Sequence, residues 1–142
     1  MRRADHPILL DPPVLAAAGW ALLAHTVTRR GLRRAGLEAP VPAPPRGLPD
    51  RGIRGVAVML SRRGATCLER SLVLQRWLAA HGSAADVLIG VARPGPAGGP
   101  APDRSGWDLH AWVEGVDDDG DAHQVLHRLP PRRRAGARRD GG

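Results

Sequence analysis

The chain has 142 residues, which suits one domain of ordinary size, and its 42% hydrophobic and 25% charged residues are those of a globular protein. It contains neither Phe nor Tyr, so four Trp are its only aromatic residues, a poor provision for a nucleic-acid reader built on stacked rings. A single Cys excludes an intramolecular disulfide and a Cys-based zinc cage. The composition points to a small, reduced, cytoplasmic domain with one thiol and no metal or cofactor.

The formal charge is +7, and all 21 basic residues are Arg. Together with the many Ala, Gly and Pro, this partly reflects GC-rich codon usage. Several Arg fall in the terminal run PRRRAGARRDGG, residues 131–142, which has almost nothing apolar to bury and reads as a disordered tail. Residues 1–50 form an N-terminal helix and a Pro-rich arm, and residues 51–130 form the core.

In chain order, the apolar stretch 14–24 follows Met1-Arg2-Arg3 in a faint signal-peptide outline. Asp5, Asp11 and Pro12-Pro13 interrupt it, no small-x-small cleavage site follows, and it is too short to span a membrane. It is expected to be a soluble helix with Val14, Leu15, Leu22, Leu23 and Val27 inward. Arg29, Arg30, Arg33 and Arg34 sit at its negative pole. Residues 38–50 (EAPVPAPPRGLPD) form an extended connector. Ile53, Val56, Ala57 and Leu60 recur at helical spacing and predict a short helix closing near Arg63-Gly64.

The clearest helix covers residues 67–80 (CLERSLVLQRWLAA). Leu68, Leu72, Gln75 and Ala79 form one row, Leu74, Trp77 and Leu78 widen it, and Gly82 supplies the left-handed cap. Residues 87–92 (VLIGVA) predict a buried strand, and residues 93–106 a long Pro/Gly loop. Residues 109–114 (LHAWVE) alternate, with His110 and Trp112 on one face and Leu109, Ala111 and Val113 on the other. VDDDGD then predicts a turn, with residues 122–126 returning as a hairpin partner. Helices followed by two or three antiparallel strands make an α+β fold.

Thr66-Cys67-Leu68-Glu69 has the form of a capping box. It places Cys67 at the first helical position, where unpaired N–H groups and the positive helix pole favour a thiolate, and Arg62, Arg63 and Arg70 act in the same sense. His110, mid-strand, is the natural proton acceptor. A third group should orient its ring, and beyond the turn the chain offers Asp121, His123, Gln124 and His127. No phosphate-binding glycine motif is present.

ATCLERSLVLQ around Cys67, the helix ending at His81-Gly82, VLIGV, and His110-Ala111-Trp112-Val113-Glu114 together resemble the lasso-peptide leader peptidase family, the transglutaminase-like B proteins of lasso-peptide biosynthesis. The similarity covers roughly residues 54–129. It implies a papain/transglutaminase-like cysteine peptidase with a Cys–His–Asp triad: Cys67 as nucleophile, His110 as general base and acid, and Asp121 as third member, with Gln124 as the alternative. It further implies removal of the leader from a ribosomally made precursor peptide before a separate lasso cyclase closes the macrolactam. With only a helix and an arm before residue 54, the chain is expected to be the stand-alone peptidase of a split pair, served by a small leader-recognition protein. Two other readings are a catalytically silent docking subunit for precursor or cyclase, and a basic nucleic-acid-binding module. Under the peptidase reading no nucleic acid and no membrane span are expected.

Overall fold

The computed structural model describes residues 11–92, 109–117 and 123–132. Three helices precede a three-stranded antiparallel sheet: α1 (Pro12–Ala35), α2 (Ile53–Arg62), α3 (Cys67–Ala80), β1 (Val87–Ala92), β2 (Leu109–Val113) and β3 (His123–Leu129). This is the expected α+β arrangement. No described helix is long and apolar enough to cross a membrane.

α1 opens on Pro12-Pro13, residues suited to a first turn whose N–H groups have no helical acceptor, and the Asp11 carbonyl accepts from Val14 and Leu15. The helix is more than twice as long as its apolar stretch; Val14 is buried as expected and Val27 half-buried, but the expected leucines do not face inward. Val14, Ala17, Trp20, Ala21, Ala24, His25 and Thr28 point inward. Leu15, Leu22 and Leu23 are 51%, 38% and 57% exposed. The reason is proximity. α1 packs chiefly against α2, where a Cβ on Gly55 would run into the Val14 carbonyl. Backbones that close leave room only for small side chains, so alanines form the contact row and the leucines are displaced outward.

From Gly36 the chain runs through the proline-rich arm to a short 3-10 turn at Asp50–Gly52 and into α2. A Cβ at Gly52 would lie 2.8 Å from the Trp77 ring and 2.9 Å from Ala17, so this entry needs glycine. Val56 and Leu60 of α2 meet Val73, Leu74 and Trp77 of α3 in one core that continues to Val87, Ala111 and Val113 of the sheet. α3 has the predicted limits, and Gly82 beyond it takes φ +88°. Gln75 fastens the helix to the sheet, its amide donating to the carbonyls of Ala85 and Leu129 at 3.0 and 2.8 Å.

The sheet order is β2-β1-β3, which corrects the expected hairpin. β3 pairs with β1, not β2; both outer strands run antiparallel to β1 and therefore parallel to each other, which a tight turn cannot connect. The end of β2 is closed by local bonds. The Val113 N–H donates to the Asp117 carboxylate, and the N–H groups of Val116 and Asp117 fold back onto the Val113 carbonyl. These local bonds occupy the groups that a hairpin would use. Arg128 of β3 instead reaches Glu114, at 3.1 Å, and Asp86, at 3.6 Å.

Candidate active site

Cys67 is the first residue of α3 and is partly buried at the margin of the helical core. The capping box is complete. Thr66 Oγ1 accepts the Glu69 N–H at 3.3 Å, and Glu69 Oε2 accepts the Thr66 N–H at 3.0 Å. The Thr66 carbonyl accepts from Arg70. The first-turn N–H groups of Cys67 and Leu68 have no intrahelical acceptor and form the positive end of the helix. Arg62, Arg63 and Arg70 are all exposed, so water screens their charges.

The same Glu69 oxygen accepts from His25 Nε2 of α1 at 2.9 Å, and Arg29 Nε lies 3.6 Å from the other oxygen. Both His25 and Glu69 are buried. Burial, the largest single influence on Glu69, raises its pKa. The Thr66 N–H, His25 and Arg29 together outweigh burial and leave the carboxyl below its ordinary value. His25 therefore fixes the carboxylate that fixes the start of the helix. Sequence reading found Glu69 but gave His25 no comparable role. The missing signal was the true inward face of α1, on which His25 lies one residue after Ala24.

One turn beyond Cys67, Ser71 donates to the Ala111 carbonyl at 3.1 Å, with both residues buried. This bond ties the first half of α3 to β2 at the residue next to His110. Ala111 and Val113 enter the helical core. His110 alternates with them on β2 and is half-buried, directly opposite Gly90. Its ring stacks 4.9 Å from His123 and 5.9 Å from Trp112, which lies 5.4 Å from His123. Gly90 permits this cluster, because a Cβ there would come within 2.9 Å of the Trp112 ring.

The elements carrying Cys67 and His110 are thus joined beside both residues, while the ring contacts described for His110 are to Trp112 and His123. Of the candidates for a third group, Asp121 lies outside the described residues. Gln124 pairs with Val91 and is exposed, next to His123 and on the alternate position of the strand. His127 pairs with Ile89, on the far side of an irregularity in the β1–β3 register. Only His123 among the described candidates stacks on His110, a proximity that requires β3 to lie beside β1. Among the described residues no group of three or more His, Cys, Asp or Glu could hold a metal ion.

No curated protein and no solved structure matches the chain. The family model described as transglutaminase-like superfamily matches residues 14–133, taking in α1, the arm, α3 and all three strands. With most of its length covered by that model, the chain belongs to the transglutaminase-like superfamily.

Proposed function

We propose that the chain is a cysteine peptidase that removes the leader from a ribosomally made lasso-peptide precursor in the cytoplasm, ahead of macrolactam closure by a separate cyclase, with a small leader-recognition protein presenting the precursor. The superfamily supports cysteine chemistry on this fold, and the motifs around Cys67 and His110 support the narrower role by their resemblance. The observation that carries the reading is the Ser71–Ala111 hydrogen bond, which joins a capped, cysteine-bearing helix start to the strand that bears His110.

The chemistry is acyl transfer. His110 takes the proton of Cys67, and Cys67 Sγ attacks the scissile carbonyl. The first-turn N–H groups receive the developing oxyanion, a donor of that kind contributing about 3 kcal/mol. His110 returns the proton to the leaving amine, and water then hydrolyses the thioester. Asp121 or Gln124 orients the imidazole. Cys67→Ala is expected to abolish precursor cleavage, read by mass spectrometry, with its unfolding midpoint unchanged; retained cleavage rejects the mechanism.

The silent docking subunit is favoured by one observation, the packing of the His110 ring against Trp112 and His123. Iodoacetamide titration separates the two readings. A peptidase is alkylated faster at neutral pH than an ordinary thiol, and a His110→Ala variant loses the difference. A docking subunit shows the ordinary thiol profile in both proteins.

A further inference from the structure

Behind α3, on the side of its C-terminal half, the proline arm and the end of β3 enclose two cavities of about 550 and 470 Å³. Both are lined by Arg76, Ala79, Pro131 and Arg132, so they form one channel with a shared middle. The first has an apolar wall of Leu72, Val41 and Leu129 and a polar one of Gln75, Arg76, Arg132 and Glu38, the last of these paired with Arg132. The second is basic: Arg46, Arg76, Arg132 and His81 line it, and among the described residues no carboxylate does.

The charges differ in what they already hold. Arg132 is engaged by the Glu38 carboxylate at 3.2 Å and the Leu37 carbonyl at 3.3 Å. Both nitrogens of His81 face carbonyl oxygens at 2.8 Å, those of Trp77 and Leu48, an arrangement only an imidazolium satisfies with two donors. Arg76 differs, because its Nε is buried and has no hydrogen-bond partner among the described residues. A guanidinium does not release its proton, so a buried donor without an acceptor is a cost that a carboxylate bound to the same guanidinium from the channel would offset.

We propose that this channel docks an acidic, aliphatic peptide segment of a partner, with a carboxylate on Arg76 and apolar side chains in the adjoining cavity. The prolines of the walls have no N–H to offer a strand, so recognition falls to the guanidinium groups. Among the described residues the lining has no Trp, and its one ring, His81, already packs against Trp77 and lies between two carbonyls, so it is not free to stack on a base. Residues 133–139 of the chain carry four Arg and no carboxylate, so their charge is like that of the channel and an acidic partner complements it better. The proposal is independent of the chemistry at Cys67.

Fluorescence anisotropy of the full chain with a labelled dodecapeptide of alternating Asp and Leu tests it. The expected result is saturable binding that weakens with salt, is absent for the peptide with Lys in place of Asp, and is unchanged by Cys67→Ala. Arg76→Gln should weaken binding about tenfold or more. Arg46→Gln, at an exposed position, keeps the test open if the first variant fails to fold. No binding of the acidic peptide, equal binding of the Lys peptide, tighter binding of a labelled oligothymidine, or indifference to both folded variants overturns the proposal.

Discussion

The two ends of α3 are fastened by opposite chemistry. At its start, a buried carboxylate collects donors from Thr66, His25 and Arg29. At its finish, a ring collects acceptors: His81 lies between the carbonyls of Trp77 and Leu48, with its ring tilted by 30° against that of Trp77 at 4.5 Å. Each arrangement follows the field of the helix, with negative charge at the positive pole and positive charge at the negative pole. The first end presents backbone donors beside a thiol, and the second presents Arg76, whose buried Nε has no partner among the described residues, beside a channel with basic and apolar walls. One helix therefore serves two sites of different kinds.

Removing the carboxylate should break the first end most severely. Glu69→Ala leaves a buried His25 and the Thr66 N–H without their acceptor, and urea unfolding should show a loss of about 3–5 kcal/mol. Gly90→Ala comes next, because the added methyl would lie 2.5 Å from the Gln124 carbonyl of β3 and 2.9 Å from the Trp112 ring and must displace both; a loss of about 1–3 kcal/mol is expected, with altered Trp fluorescence. Ser71→Ala should cost about 1–2 kcal/mol by leaving the buried Ala111 carbonyl without this donor. If the tie also sets the distance between helix and strand, cleavage should slow by up to about a hundredfold.

Opposite pH dependences sharpen the comparison. Glu69 is held below its ordinary value of 4.5, so its contribution to stability is present above that pH and is lost as pH falls through the folded value. Burial alone would lower the pKa of His81, but the Trp77 and Leu48 carbonyls and the charge of Asp50 outweigh it and raise the pKa above 6.5. Its contribution is full below pH 6.5 and is lost as pH rises through the folded value. Thermal midpoints measured across pH should fall on the acid side in a way Glu69→Gln removes, and on the alkaline side in a way His81→Gln removes. The smallest effect belongs outside α3. Leu15→Ser and Leu22→Ser on α1 should each change stability by no more than about 0.5 kcal/mol.

The limits and caps of α3 were legible because their signals are local, and Leu72, Leu74, Gln75 and Trp77 are buried as expected, whereas Leu68, Leu78 and Ala79 are half-buried and Val73, outside the expected row, is fully buried. Thr66 and Glu69 are three positions apart, Gly82 closes the helix, and the apolar row repeats within one element. The alternation of His110 with Ala111 was legible for the same reason. The inward face of α1 was not, since leucine outranks alanine in hydrophobicity but not in a contact where two backbones nearly touch. Nor was the place of β3, which pairs with β1 and not with β2.

The order of residues alone specified the helix ends, the strand periods and the position of the one thiol at a helix start, all matters of separation along the chain. Folding in three dimensions decided that His25 would hold Glu69, that Ser71 would hold Ala111, that His123 would stack on His110 and that Arg76 would face a channel. The two hydrogen-bonded pairs are 44 and 40 positions apart, and the stacked pair is 13 apart. Such distances are set by how closely helices and strands pack, which no local pattern encodes.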